Sequence, residues 1–358
     1  MLAEALRLTT SQEDIDELTA QLEAELKECE ATTVSYKNKL KQFMMENEIW
    51  QISELNYYWR EKYCEYLKNR MSKTSCELYI KTFDRVKLHS LRKQPQIILA
   101  GKRQRPQYAD EILYLPYHPN IEIAERFFKE NNKNLLAWDF TLKTAEKLKR
   151  QIFQVLHYFI ENAANSERMH AQLGGLARLY DFCVLEQIED LEKLEIDQIE
   201  RFQKTFTTEY QRHYYAGVTY WCGRALFMEA EEIHWDANVW YMERMHLQPE
   251  RIDPAAPVMS LSFAEVTNKE NRKLLQKYLR YGIGITNLSI SSLRTEFLVV
   301  RKFLGDMNQP ETENICMMTE QQMDAWLRSE QQREVQADTF NKKVMCILHF
   351  FQYLQIKD

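Results

Sequence analysis

The chain has 358 residues, 45% hydrophobic and 28% charged, enough for two or three globular domains. Only 8 glycines and 8 prolines favour helix over sheet. A net charge of −6 counts against a uniformly phosphate-binding surface, and no apolar run reaches the roughly 18 residues of a membrane helix.

The first residues carry neither a basic leader nor a long apolar segment, so no secretory signal is expected. Seven cysteines, odd in number and without C-x-x-C spacing, read as free thiols in a reducing cytoplasm. Ser11 stands as a helix N-cap with Asp14 three residues on. The helix that follows sets Ile15, Leu18, Leu22, Leu26 and Cys29 on one side and acids on the other. Glu25 interrupts the seam of a coiled-coil dimer, so packing within the chain is favoured over it. Apolar stripes then recur at Tyr36, Leu40 and Phe43, at Ile49, Ile52 and Leu55, at Tyr63, Tyr66 and Leu67, and at Leu78, Tyr79, Phe83 and Val86. They make 1–90 an N-terminal helical unit.

Residues 91–120 hold four of the prolines and form a basic connection, with room for a small hairpin between 96–100 and 112–115. A second helical unit spans 121–240. It opens with 121–128 and 135–140 and continues in a strong helix over 141–160 with Leu148, Ile152, Val155, Leu156 and Phe159 inward. Leu173, Leu176, Leu179 and Phe182 extend its core. An acidic stretch with Ile188, Leu191, Leu194, Ile196, Ile199 and Phe202 follows, then an aromatic helix over 207–228. Residues 241–268, with Pro249, Pro254 and Pro257, read as a linker before a third helical unit at 269–358. There Phe297, Val300, Phe303 and Leu304 share one helix face, and Met323, Trp326 and Leu327 a second. Phe340, Val344, Ile347, Leu348, Phe351 and Leu354 share a third. None of these short helices can bury its stripe alone, so they pack on one another. The expected fold is all-α: tandem small helical bundles joined by proline-containing connections, with a degenerate internal repeat.

The run SISSLRTEFLVVRKFL at 289–304 and the closing run TFNKKVMCILHFFQYL at 339–354 resemble the SAM-like core-binding domain of tyrosine recombinases, the phage-integrase family. The segment WDANVWYMERMHLQPERIDPAAPVMSLSF at 235–263 is similar to a linker of large integrase-type transposases of Gram-positive mobile elements. The resemblance implies a domain that grips double-stranded DNA at element ends before a catalytic domain. It also implies self-association in a synaptic complex and a cytoplasmic, nucleoid-associated location. By that resemblance the sequence ends at Asp358 before catalysis would begin, and the chain is expected to be non-catalytic.

Recombinase chemistry needs a nucleophilic tyrosine and a cationic set around the scissile phosphate. The one H-x-x-R tetrapeptide, His89 to Arg92, follows a helical unit with no tyrosine motif after it, and reads as chance. There is no phosphate-cradling glycine loop, no H-E-x-x-H and no G-x-S-x-G. His234 and Asp236 beside Glu231 and Glu232 read as a solvated acidic turn, not a metal site. No cofactor is expected.

DNA contact needs basic and polar side chains at helix starts. The candidates are Ser72, Lys73 and Thr74, then Lys143, Lys147 and Arg150, then Ser291, Arg294, Thr339, Lys342 and Lys343. Between 85 and 107 seven basic residues occur with no acid. Arg92, Lys93, Lys102, Arg103 and Arg105 form a candidate phosphate-tracking arm there. The acidic stretches 11–30 and 186–200 are expected to face solvent or a second protomer. The competing readings are ordinary solvated faces on a helical protein-interaction scaffold, or an accessory regulator of a mobile element.

Overall fold

The computed structural model describes residues 12–29, 32–68, 70–93, 111–130, 135–307, 310, 313–333 and 336–357. The fold is all-α, with two short antiparallel ladders. The chain divides into two compact units, 1–143 and 144–358. The division falls at Lys143, and neither proline-bearing connection is a boundary.

The first unit contains α1 (Gln12–Glu28), α2 (Val34–Glu46), α3 (Tyr57–Lys68) and α4 (Lys73–Lys93). Ser11, the expected cap of α1, lies outside the described residues. Leu22, Leu26 and Cys29 of α1 join Leu40, Phe43, Tyr63 and Phe83 in one buried cluster, so α1 spends its apolar face inside the chain. β1 (Ile112–Tyr114) pairs with β2 (Ala137–Asp139), with α5 (Ile121–Phe128) between them in sequence. The expected hairpin partner at 96–100 lies outside the described residues. The strand at 137–139 falls within the stretch expected to be helical. Leu88 and Leu91 of α4 bury against Ala124 of α5.

Lys87, one of the seven basic residues between 85 and 107, is buried on α4 and donates to the Ser53 carbonyl at 2.7 Å. Burial pulls its pKa down to about 8. Leu78, read as core, is exposed.

The second unit runs through α6 (Glu146–Asn162), α7 (Ser166–Leu185), α8 (Ile196–Lys204), α9 (Glu209–Tyr214) and α10 (Val218–Glu229). It continues with β3 (Val239–Tyr241) paired to β4 (Ser260–Ser262), then α11 (Lys269–Gly284), α12 (Ile290–Met307), α13 (Glu320–Gln331) and α14 (Ala337–Lys357). The aromatic helix expected over 207–228 is broken at 215–217. There Tyr215 lies so close to Gly174 of α7 that any side chain at 174 would collide with its ring.

The stretch read as a linker, 241–268, is woven into the core: Trp240, Leu261, Phe263 and Val266 are buried with Phe297, Val300 and Phe303 of α12. On α14 the buried set is Cys346, Ile347, Phe350, Tyr353 and Leu354, while Leu348 points to solvent. Phe350 and Tyr353 turn inward because both rings pack on Tyr278 of α11. Cys183 and Cys222 are buried neighbours, and burial pushes the Cys183 thiol up to about 12 and Cys222 well above the usual thiol range. Cys316 is the exposed cysteine.

One arrangement occurs three times. Two helices lead to a 3-10 turn, and two helical segments follow, or three in the second copy, where α8, α9 and α10 take their place. The 3-10 turns are Ile52–Glu54, Leu191–Lys193 and Ile315–Met317, and each carries the I/L-x-x-L/M signature completed by Leu55, Leu194 or Met318. The next helix starts at the same interval each time, at Tyr57, Ile196 and Glu320. The first two copies also end their second helix alike. Glu48 and Gln187 take left-handed backbone, and the amides of Ile49 and Ile188 return to Met44 and Cys183.

The connections repeat as well. Leu115 N donates to Leu136 O and Phe140 N to Glu111 O around the first ladder. Met242 N donates to Met259 O and Phe263 N to Asn238 O around the second. Each ladder then leads, after the same interval, to a helix whose fourth residue is a buried cation, Lys149 or Arg272.

Arg272 is the best-connected of these. Its guanidinium takes both oxygens of Glu195 at 2.8 and 2.6 Å, Asn238 Oδ1 at 2.7 Å and the Val266 carbonyl at 2.9 Å. Replacing Arg272 by alanine leaves three acceptors without a donor, so the thermal midpoint should fall by the equivalent of about 3–5 kcal/mol. Arg272→Lys should recover only part of it, because an ammonium cannot hold a carboxylate bidentately. The pH dependence of stability gives a second check, at Lys87. Its folded pKa is lowered, so the unfolded chain binds more protons between about pH 8 and 10.5, and stability rises with pH there. Denaturant melts should show wild type gaining on Lys87→Met across that window.

Candidate nucleic-acid interface

The candidate residues stand on three kinds of footing. At the start of α4 the Ser72 hydroxyl holds the Ser75 amide at 3.4 Å and the Ser75 hydroxyl at 3.0 Å, and Lys73 and Thr74 are exposed on the first turn. At the start of α12 Ser289 does the same for Ser292, at 3.1 and 2.9 Å. Ser291 is half-buried beside it, and Arg294 is exposed one turn on. Arg301, further along α12, is held by Glu265 at 2.8 Å and the Ser262 carbonyl at 3.1 Å. Burial lowers its proton affinity, Glu265 opposes that, and the charge of Arg294 lowers it further, so it ends below the ordinary range. Two cations therefore share one side of α12. Thr339 and Lys342 are exposed on α14. Lys143 is exposed ahead of α6. Among the described residues Lys73, Lys143, Arg294 and Lys342 carry no ion pair. Arg150 is exposed, with its Nε 3.4 Å from the Glu146 carbonyl.

A second group is committed to carboxylates. Lys147 holds Asp190 at 2.6 Å, and Gln151 reaches the same carboxylate at 2.8 Å. Burial raises the Asp190 pKa, but these donors and the Glu192 amide outweigh it and leave the group below the usual range. Lys343 holds Glu330 at 2.6 Å, and Glu330 is 1% exposed. Lys302 and Arg333 approach the same carboxylate. Burial alone would raise the Glu330 pKa; the Lys343 hydrogen bond and the three charges bring it below the ordinary value. Lys343, a candidate DNA contact, is the counter-ion of a buried acid.

A third group makes exposed pairs. Arg92 meets Glu125 at 2.7 Å, and Lys93 pairs with Glu28. Solvent-exposed pairs contribute about 0–1 kcal/mol, so a phosphate can displace these acids, unlike Glu330. Lys102, Arg103 and Arg105 lie outside the described residues.

The acidic stretch 186–200 does not simply face solvent. Besides Asp190 and Glu195, Glu192 is buried and takes His234 Nδ1 at 2.8 Å. Burial raises the Glu192 pKa, with His234 pulling the other way. Asp236 pairs with Lys193 at 2.5 Å. Among the described residues no three His, Cys, Asp or Glu side chains are grouped to hold a metal ion. No described helix is long and apolar enough to cross a membrane.

The first unit also holds an open cleft of about 910 Å³, which the sequence reading missed. Lys73 lines it together with Lys68, Lys81 and Arg85. The available signal was the spacing of Lys73, Glu77, Lys81 and Arg85, four residues apart on one face of α4.

The chain matches no family model, no curated protein and no solved structure.

Adjacent lysines on α14 give a direct test of this sorting. Lys343→Ala should lower the thermal midpoint by several degrees, because it strips a partner from a buried carboxylate. Lys342→Ala should leave it unchanged. The Glu330 contribution is present above the ordinary carboxylate pKa and lost as pH falls through the lower folded value. Removing Lys343 should therefore also move the onset of acid unfolding to higher pH.

Proposed function

We propose that this chain is the DNA-binding region of a tyrosine-type site-specific recombinase or transposase. It clamps element-end duplex DNA and positions it for a catalytic domain outside this sequence. The observation that carries the reading is the threefold recurrence of one helical module. The last copy contains the runs at 289–304 and 339–354 that resemble a recombinase core-binding domain, and the earlier copies share its element order. A repeated module suits a ligand that repeats, and a duplex offers equivalent grooves at regular intervals. Lys73, Arg294 and Lys342, exposed at or near helix starts and without an ion pair among the described residues, would contact backbone phosphates. Ser72, Thr74, Ser291 and Thr339 would supply the neutral donors. Self-association in a synaptic complex belongs to the same proposal.

A helical interaction scaffold is the second reading. Met345, Leu348 and Ile356 favour it, being exposed along one side of α14. Gel shifts with element-end duplex across a salt series separate the two. Duplex binding should weaken linearly on a log–log plot, with a slope of about −0.9 per phosphate contacted. Removing the charges of Arg294 and Lys342 together should make the slope shallower by about 2. Absence of duplex binding, or a slope near zero, leaves the scaffold.

A further inference from the structure

We infer that the cleft in the first unit is a binding site for single-stranded nucleic acid, taking an unpaired base on its floor and the flanking phosphates on its lysine rim. This rests on the nucleic-acid reading above and adds to it a separate site for an unpaired strand.

The walls come from α3 and α4 on one side and from β1, α5 and Leu136 just ahead of β2 on the other. The floor is apolar, with Ile80 and Phe127 buried and Met71 and Phe128 half-buried. The rim is cationic. Lys68, Lys73 and Lys81 are all exposed, and none has an ion pair among the described residues. Lys73 and Lys81 lie two turns apart on α4, about 12 Å along the axis, enough to serve more than one phosphate.

The wall beneath the rim is rigid. Arg60 binds Asp84 at 2.8 and 3.3 Å, and the Tyr117 hydroxyl donates to the same carboxylate. The Arg60 guanidinium also sits 5.2 Å from the centre of the Tyr114 ring. Arg60 and Asp84 therefore satisfy each other, and among the other charged groups of the lining Lys68, Lys73, Lys81 and Arg85 outnumber Glu77 and Glu130. Arg85 and Phe128 also line a second hollow of about 280 Å³, which Lys129 borders.

An apolar floor beside a surplus of cationic groups is the pairing that single strands require, since every base has an apolar face and every linkage a charge. An acidic peptide would use the lysines but leave the floor unfilled.

The test uses the full chain, a fluorescent oligothymidylate, a duplex of equal length and polyglutamate. Lys68→Ala/Lys81→Ala removes two exposed charges, neither assigned to the duplex. Oligothymidylate affinity should fall at least tenfold in this variant, with a salt slope shallower by about 1.4, while duplex affinity stays within twofold. An oligothymidylate carrying 5-iodouracil should crosslink to the floor, at Phe128, or at Tyr114 beside it. Equal strand affinity in variant and parent overturns the inference, as does a crosslink placed elsewhere. So does polyglutamate displacing the strand in the parent and losing that ability in the variant, which marks an acidic-peptide site. If the parent binds duplex but not oligothymidylate, the cleft inference fails and the duplex reading stands. If it binds neither, both fail.

Discussion

The second unit depends on one buried guanidinium. Arg272 ties the residue capping α8, the residue leading into β3 and the turn before α11 to a single planar group. These three places are far apart in the chain, and the proline-bearing segment runs between them. A charge removed from water is costly unless every donor is used and a counter-charge is close. Here the carboxylate of Glu195 is bidentate and two further oxygens complete the set. Such an interaction specifies an arrangement more than it adds stability. That explains why the second and third copies of the module form one body. Lys149, at the corresponding place after the first ladder, is likewise buried.

Much of this was legible in the sequence. The inward faces of α6 and α7 were readable because long helices show their period over several turns. The caps went unread: Asn165, Asn268, Thr208 and Thr319 each accept from a backbone amide at a helix start, although only Ser11 was singled out as a cap. The ladders were not readable either. Strands of three residues are too short for alternation to declare itself, and 137–139 sits in an apolar run that suits a helix equally well. The inward turn of Glu192 and Glu195 was hidden for a different reason. Whether an acid meets water or an arginine depends on a partner in another element, and composition averages that away. The same holds for Lys87 and for Lys343, whose neighbour Lys342 is exposed.

Net charge misleads for a related reason. Asp190, Glu195 and Glu330 are engaged by Lys147, Arg272 and Lys343, so a part of the acidic total is spent within the fold. The cations left over are not spread evenly. Several stand at the polar starts of α4 and α12, ahead of α6, early on α14, and around one cleft. An overall negative chain can in this way present local surfaces of the opposite sign, and over short distances in salt the local surface governs what approaches.

The cysteines have a practical consequence. Cys183 and Cys222 are shielded from water and held as thiols, so neither offers a nucleophile near neutral pH. Cys316 lies exposed on the turn ahead of α13. A maleimide dye would therefore reach that turn ahead of the buried thiols, giving the third module a native attachment point for fluorescence with no engineered residue.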